Sequence, residues 1–203
     1  MPRPREFDET TVLEAALECF WQRGYEATSV RDLAASMGLT APSLYNAFGD
    51  KQQLFARALE HYLDCTTRDR LRRLETSLPP KEAILRFFDE IIEHSINDRK
   101  RKGCFLVNSA LEVAPHQSKL GIVIADQFAD IEAFFKRTIR AARADGTAPR
   151  GIDAKDTARL LLGVLLGLRV LARTTPNRAL LEGVTRPALA LLDLPQRKRS
   201  ARK

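Results

Sequence analysis

The sequence predicts an all-α protein, and three patterns support that prediction. Apolar residues recur every three to four positions over long stretches of the 203-residue chain, which is the spacing of a buried helix face. Runs of β-branched residues alternating with polar ones, the mark of strands, are few. Ser, Thr or Asp stands before several of the periodic stretches, and these are the residues that cap helix starts. We therefore expect about nine helices.

The first helix is predicted to begin at Asp8. Val12, Ala16 and Phe20 recur every four residues and form one apolar stripe. Gly24 then supplies a stop, since glycine accepts the backbone conformation that ends a helix.

The second and third helices are predicted on either side of a short turn that contains Gly38. Ser29 and Asp32 have the spacing of a capping box at the start of the second helix. Thr40 caps the third helix, and Pro42 sits in its first turn, where a missing N–H costs nothing. Two capped helices joined by such a turn are typical of a helix-turn-helix.

The rest of the chain gives six longer or more apolar helices, separated by Pro and Gly breaks. They are predicted from Asp50 toward Arg73, between Pro80 and Arg99, at Cys104–Val113, at about Ser118–Ala144, at about Ala154–Arg173 and at about Pro176–Leu192.

Net charge does not identify a partner for this chain. The formal charge is +7, but five basic residues lie in the last seven positions, 197–203. The first 51 residues hold five basic and eight acidic side chains, a net of −3. A nucleic-acid surface must therefore be argued from the local pattern of side chains.

The cysteines and the hydropathy favour a cytoplasmic protein. Cys19, Cys65 and Cys104 are odd in number and show no paired spacing, which suits a reducing compartment. The charged, polar start of the chain does not resemble a signal peptide. The most apolar run, Leu160–Ala172, is about 13 residues and contains a charge, whereas a bilayer span needs about 20.

The stretch CFWQRGYEATSVRDLAASMGLTAPSLYNAFGDKQQLF, residues 19–55, resembles the DNA-binding domain of the TetR family of transcriptional regulators. The resemblance implies an all-helical homodimer that binds a palindromic operator in double-stranded DNA and acts most often as a repressor. It also implies a C-terminal domain that binds a small-molecule effector, which releases the DNA. We accordingly expect a DNA-binding domain at residues 1–52, an effector-binding and dimerisation domain at 53–194, and a basic tail at 195–203.

The DNA-contacting positions of the family fall on this chain at Arg31, Thr40, Ala41, Pro42, Ser43, Tyr45, Asn46 and Lys51. Their chemistry agrees with the resemblance, because hydroxyls suit phosphate oxygens and an asparagine can make a bidentate contact with adenine. Lys51 lies in the first turn of a helix, where its charge opposes the helix dipole. A phosphate bound outside the protein would compensate this unfavourable interaction.

The segment RKGCFLVNSALE, Arg101–Glu112, resembles one found in a subgroup that includes repressors of electrophile-detoxifying reductases. In that subgroup the cysteine after the glycine senses reactive compounds. Cys104 follows four cations and begins a helix, and both features favour the reactive thiolate. The sequence leaves open whether Cys104 is such a sensor or a small packed residue.

An effector pocket is expected between helices of the C-terminal domain, lined mostly by apolar side chains. Asn108, one turn beyond Cys104, either hydrogen-bonds the effector or ties two helices together. The proposed lining, besides these two, is Phe88, Ile91, Phe105, Leu111 and Phe128.

The eighth and ninth helices are apolar around more than half their girth, so each needs two packing partners. One partner is the chain's own domain, and the other is most easily a second copy. Small residues spaced four apart allow a facing helix to approach closely. The expected dimer contacts are Leu162, Gly163, Leu166, Gly167, Leu181 and Leu189.

Two alternatives to this interpretation stay open at the level of sequence. His61 and Cys65, four apart, could share a metal with Cys104 or His94, which would make the protein a metal sensor. A helical enzyme or ligand carrier is the other alternative. No nucleotide loop, metalloprotease signature or nucleophile elbow occurs, so we expect neither catalysis, nor a cofactor, nor a bound metal.

Overall fold

The computed structural model describes residues 8–193, and its regular elements in that range are all helical. They are α1 (Glu9–Arg23), α2 (Val30–Ser36), α3 (Ala41–Phe48), α4 (Lys51–Tyr62), α5 (Asp69–Ser77), α6 (Pro80–Asn97), α7 (Phe105–Glu112), α8 (Ser118–Ala144), α9 (Ala154–Thr174) and α10 (Arg178–Leu189). A short 3₁₀ turn, Ala190–Leu192, follows α10. The predicted all-α class is confirmed.

A π-helical segment, Leu63–Arg68, joins α4 to α5 without a break. The sequence predicted one regular helix here, and the predicted number of about nine helices holds when this continuous stretch is taken as one. Within the segment the hydroxyl of Thr66 donates to the carbonyl of Tyr62 at 2.6 Å. Such wide turns hold an additional residue and occur mostly as single insertions within α-helices.

Side-chain caps begin each of the first four helices, and the capping residues are Asp8, Ser29, Thr40 and Asp50. Ser29 and Asp32 form the predicted capping box, in which each side chain accepts the other's backbone N–H at 3.1 Å. Asp50 and Gln53 form a second capping box, at 2.8 and 3.1 Å. The local signals in the sequence therefore set these helix starts.

The turn between α2 and α3 is closed by Gly38, whose φ is +64°. Its N–H donates to the carbonyl of Ala35 at 3.3 Å, and the N–H of Leu39 donates to the carbonyl of Ala34 at 2.9 Å. This pair of hydrogen bonds is the Schellman arrangement, which needs a left-handed residue at this position. The predicted helix-turn-helix is present.

By packing, the described chain divides into two compact units, and the first comprises residues 8–69 and 104–124. Its core contains Phe20, Tyr25 and Phe55, with ring centroids 5.0 Å apart for Phe20–Phe55 and for Tyr25–Phe55. Phe105 of α7 joins them, 5.4 Å from Phe55. α7 thus shares one core with the helix-turn-helix.

The second unit comprises residues 70–103 and 125–193. Its core contains a cluster of four phenylalanines on α6 and α8, namely Phe87, Phe88, Phe134 and Phe135. A bidentate ion pair between Arg137 and Glu75, at 2.9 and 3.0 Å, links α8 to α5. The expected functional domains at 1–52 and 53–194 stay a prediction, because these units are defined by packing alone. The predicted basic tail lies outside the described residues.

None of the helices in residues 8–193 combines the length and the apolar character that crossing a bilayer requires.

Candidate nucleic-acid interface

α3 has one buried face and one exposed face. Leu44 and Phe48 pack in the first unit's core, whereas the side chain of Tyr45 is 51% exposed. Six of the predicted DNA-contacting residues lie together, exposed, at or after the start of this helix, namely Thr40, Ala41, Pro42, Ser43, Tyr45 and Asn46. The structure therefore presents these side chains on one continuous surface.

The hydroxyls at the start of α3 form a pair. The Oγ atoms of Thr40 and Ser43 lie 2.9 Å apart, and the Oγ1 of Thr40 also accepts the N–H of Ser43 at 3.3 Å. Each hydroxyl keeps further hydrogen-bonding capacity, since a hydroxyl offers one donor and two acceptor lone pairs. The helix cap therefore fixes the positions of both hydroxyls at the exposed start of α3.

Lys51 begins α4, and its ammonium rests on the loop between α1 and α2. Its Nζ lies 4.4 Å from the centroid of the Tyr25 ring. The same atom lies 3.5 Å from the backbone oxygen of Glu26. A cation over an aromatic face is attracted by the ring, so the loop orients this lysine without neutralising it.

Arg31 is exposed on α2, the helix that supports α3. On the same helix, hydrogen bonds from Ser29 hold the pKa of the Asp32 carboxyl below its ordinary value, with help from the nearby guanidinium of Arg23. Asp32 and Arg23 form an ion pair at 2.6 Å. The acidic residue closest in sequence to Arg31 is thus already engaged within the protein.

Arg57 contacts α3 and helps to hold this surface in place, a role that the sequence did not indicate. Its guanidinium lies 4.7 Å from the centroid of the Phe48 ring and donates to the carbonyl of Ala47 at 3.2 Å. It also forms an ion pair with Glu9 of α1. A cation near the C-terminal end of a helix interacts favourably with the helix dipole. Through these contacts Arg57 links α3 to α4 and to α1.

In the first unit, the predicted effector residues differ in how exposed their side chains are. Cys104 is 8% exposed, and its Sγ lies 3.5 Å from the hydroxyl of Tyr62. Phe105 is packed in the aromatic core, and Asn108 is half-buried. Leu111 is 70% exposed, because it lies on the outer face of α7. The role of Leu111 in a pocket stays a prediction.

The remaining predicted pocket residues, Phe88, Ile91 and Phe128, belong to the second unit. The first two are buried and Phe128 is half-buried. A small cavity in this unit has a volume of about 10 Å³ and is lined by His94, Ser95, Asp98, Gly103, Arg169 and Ala172. It has room for about one water molecule and involves none of the predicted residues. The effector pocket stays a prediction.

Gln127 on α8 is a candidate that the sequence did not reveal. Its side chain is 4% exposed, and its Nε2 donates to Asp130 at 3.2 Å. Its Oε1 accepts no hydrogen bond from the described residues. Because an unsatisfied buried acceptor is costly, this atom calls for a donor, and no sequence pattern marks one glutamine as buried.

The side chains of the predicted dimer contacts differ in their exposure to solvent. Gly163 and Gly167 are exposed on α9, and a Cβ atom added at either glycine would meet nothing within 4 Å. Leu162, Leu166 and Leu189 are half-buried. Leu181 is fully buried within the second unit, so its side chain serves that unit's core and does not face a second copy. Leu160 and Val170, which were not among the predicted contacts, are exposed on the face of α9 that carries the two glycines.

The alternative of metal sensing gains no support from the described residues. The Sγ of Cys65 lies 3.9 Å from both ring nitrogens of His61. Nevertheless, no group of three or more His, Cys, Asp or Glu side chains within residues 8–193 is placed to hold a metal ion.

Comparisons with known proteins agree with this geometry. The family model for "Bacterial regulatory proteins, tetR family" matches residues 12–58, and that for "Tetracyclin repressor-like, C-terminal domain" matches residues 80–187. YezE, an uncharacterized HTH-type transcriptional regulator of Bacillus subtilis (strain 168), is 33% identical over 194 residues, which is 95% of this chain and 100% of that protein. ComR, an HTH-type transcriptional repressor of Escherichia coli (strain K12), is 29% identical over 84% of this chain and 82% of its own.

Among solved structures, a cysteine mutant of the regulator CifR, complexed with 26-bp double-strand operator DNA, is 33% identical to this chain. The TM-score is 0.82, and the match covers 92% of this chain and 98% of the other. The reduced form of NemR from E. coli shares the fold at a TM-score of 0.82 with 17% identity, over 93% of this chain and 99% of its own.

Proposed function

Because this chain belongs to the TetR family of bacterial regulatory proteins and is therefore a helix-turn-helix transcriptional regulator, we propose that it represses transcription as a homodimer on a palindromic operator. CifR, its relative of known structure, was solved on operator DNA. A regulator of this kind needs no catalytic step, and we propose none. A cytoplasmic location, where the DNA is, forms part of the proposal.

The observation that carries the proposal is the exposed face of α3. The side chains of Tyr45 and Asn46 are exposed, whereas those of Leu44 and Phe48 are buried in the core of the first unit. A recognition helix enters the major groove with its N-terminal residues against base edges. In this assignment Ala41 and Pro42 contact thymine methyl groups and Asn46 reads a base.

The phosphate contacts are assigned to the rim of this face. The hydroxyls of Thr40, Ser43 and Tyr45 donate to phosphate oxygens, and Lys51 supplies a charge from the start of α4. Arg31 reaches the backbone or a flanking base from α2. Contacts of this kind fix the register of the protein on the duplex.

A homodimer is needed because a palindromic operator presents two half-sites about one turn of DNA apart. Leu160, Gly163, Gly167 and Val170 follow one another at spacings of three and four on α9 and are exposed. They form a continuous surface of small and apolar residues, which a second copy of α9 would cover isologously.

For the effector, we propose a molecule that presents a hydrogen-bond donor to the Oε1 of Gln127. That acceptor is buried on an otherwise largely apolar helix face, and a donor from a ligand would satisfy it. The substitution Gln127→Leu, of similar size, should leave operator affinity intact and weaken release by the effector.

A covalent signal at Cys104 is the second form of the proposal. The cations of residues 99–102 precede the cysteine in sequence, whereas its burial against Tyr62 opposes access by a reagent. Reaction would then require α7 to move first.

The experiment is a fluorescence-anisotropy titration of the protein with DNA from upstream of its own gene. Tyr45→Ala and Lys51→Ala should each weaken binding by about 1–3 kcal/mol if the contacts are direct. Lys119→Ala is the matched control, because this lysine also lies in the first turn of a helix but outside the proposed surface. Unchanged affinity in both variants would remove the assignment of this surface.

A further inference from the structure

We propose that Glu112 is a positioning residue for DNA binding. Its carboxylate, at the C-terminal end of α7, holds the loop between α1 and α2 in the arrangement on which Lys51 rests. The inference depends on the proposed function, since it assumes that Lys51 contacts a phosphate.

The contact joins parts of the chain that are 86 positions apart. The Oε1 of Glu112 accepts the backbone N–H of Glu26 at 3.0 Å. This N–H belongs to the loop between α1 and α2, outside any helix. A charged acceptor makes this a stronger hydrogen bond than a neutral one would.

Gly24 makes room for the carboxylate. A Cβ atom at this position would lie 2.7 and 2.9 Å from the two carboxylate oxygens of Glu112, closer than atoms approach without repulsion. The φ of Gly24 is +84°, so the loop combines a backbone conformation suited to glycine with a space that only glycine leaves open. Glu112 therefore fits closely against the loop at Gly24 and at Glu26, the residues on either side of Tyr25.

Lys51 rests on the same loop segment, at Glu26 and its neighbour Tyr25. The oxygen of Glu26 lies 3.5 Å from its Nζ, and the ring of Tyr25 lies 4.4 Å away. Glu112 thus binds the N–H of Glu26, while the carbonyl of Glu26 and the ring of Tyr25 face Lys51. If the segment shifts, the support of the lysine shifts with it.

Glu112 itself stands on a well-packed element. Phe105, at the start of α7, lies 5.6 Å from Tyr62 and 5.4 Å from Phe55 by ring centroids. Beyond the end of α7, the side chains of Gln117 and Gln52 are hydrogen-bonded at 2.9 Å. The carboxylate is consequently held from a fixed base, and displacement of α7 would be transmitted to the loop.

The sign of the effect separates positioning from simple electrostatics. Removing a negative charge from a protein that binds a polyanion should strengthen binding through the long-range field. Losing the hydrogen bond to Glu26 should weaken binding, because Lys51 loses its support. Glu112→Gln removes the charge but keeps an oxygen acceptor, whereas Glu112→Ala removes both.

The test measures operator affinity of the full-length protein against salt concentration for wild type, Glu112→Ala, Glu112→Gln, Lys51→Ala and the double variant Glu112→Ala/Lys51→Ala. We expect Glu112→Ala to weaken binding by about tenfold, the size of one charge-assisted contact. It should also lower the slope of log affinity against log salt by about one phosphate contact, as Lys51→Ala does. Glu112→Gln should bind at least as tightly as wild type, and the double variant should match Lys51→Ala alone.

Asp126→Ala, which removes an exposed carboxylate of α8, controls for charge, and circular dichroism of each variant controls for folding. Losses that add in the double variant, or a wild-type slope in Glu112→Ala, would overturn the inference while leaving the proposed function in place. If Lys51→Ala itself keeps the wild-type slope, Lys51 contacts no phosphate and the inference fails, while operator binding by the wild-type protein still decides the proposed function. If Glu112→Ala is unfolded, weakened binding in a folded Glu112→Gln overturns the inference by itself.

Discussion

The hydroxyl of Tyr62 lies 3.5 Å from the Sγ of Cys104, and the cysteine beside it is buried. Cys65, by contrast, is exposed, with both ring nitrogens of His61 at 3.9 Å from its Sγ. The sequence singled out Cys104 as the candidate reactive thiol, but Cys65 is the more accessible of the two. A thiol must be accessible to a reagent before it can react.

We therefore expect a mild electrophile to modify Cys65 before Cys104 in the free protein. Mass spectrometry of peptides after timed exposure to N-ethylmaleimide gives the order directly. In Cys65→Ser, release of operator DNA should follow the slow modification of Cys104 if that thiol is the sensor. If Cys104→Ser releases DNA as readily as wild type, Cys104 is a packing residue and the noncovalent effector is the better explanation.

Gly24→Ala should destabilise the protein by about 1–3 kcal/mol, the cost of a backbone conformation that side chains disfavour. The backbone at Gly24 has φ +84° and ψ 167°, and a Cβ would also press on the carboxylate of Glu112. Chemical denaturation measures the loss of stability. Gly146→Ala, with φ +82° but open space around the Cβ position, is the comparison variant. Gly24→Ala in a Glu112→Ala background then isolates the part of the loss that comes from the Glu112 contact.

Val170→Glu should weaken the homodimer, since it places a charge on the exposed face of α9 beside Gly167. Because both half-sites must be met together, operator binding should fall in parallel. Sedimentation velocity over a range of protein concentrations measures the shift toward monomer. Lys155→Glu, an exposed change at the start of the same helix, should leave the assembly unchanged. A wild-type monomer at micromolar concentration would contradict the proposed dimer.

Glu90 makes stability depend on pH in the acid range. Burial opposes ionisation, but Arg73 and Arg70, at 2.7 and 3.3 Å, hold the pKa of Glu90 below its ordinary value of 4.5. A carboxyl with a lowered pKa stabilises the folded state fully above its unfolded pKa, and this contribution fades as pH falls through the folded-state pKa.

Glu90→Gln should accordingly cost about 1–2 kcal/mol at pH 7, the scale of hydrogen bonds to a charged group. The difference from wild type should shrink as the pH is lowered below 4.5. Denaturation midpoints measured from neutral to acid pH test this, with the exposed neighbour Asp89→Asn as control. A difference that stays constant with pH would assign the loss to packing instead.

Local signals explain what the sequence predicted well. The capping boxes at Ser29 and Asp50 and the turn at Gly38 involve residues within five positions of one another, so their geometry is contained in short stretches of sequence. The exposed face of α3 follows from the same local periodicity. The fold class and the proposed DNA-contacting surface could therefore be predicted.

Contacts between distant segments explain what the sequence missed. Nothing near Leu181 shows that it is buried in its own unit, because the covering helices come from elsewhere in the chain. The pairing of Glu112 with Glu26, and of Arg57 with Glu9, likewise arises only when α7, α4 and α1 pack together. A regular helix was predicted at Leu63–Arg68, where the structure has a π-helical segment. The apolar spacing of the sequence there does not distinguish the two.

The turn at Gly38 also bears on how the chain folds. Its Schellman hydrogen bonds, the Ser29 capping box and the Thr40 cap all fall between residues 29 and 43, so this segment closes with little loss of chain entropy. The link from Glu112 to Glu26 closes a loop of 86 residues and is slow to form by comparison. The helix-turn-helix should thus be structured in the folding transition state and the Glu112 contact added afterwards, so that weakening Ser29 slows folding while weakening Glu112 mainly speeds unfolding.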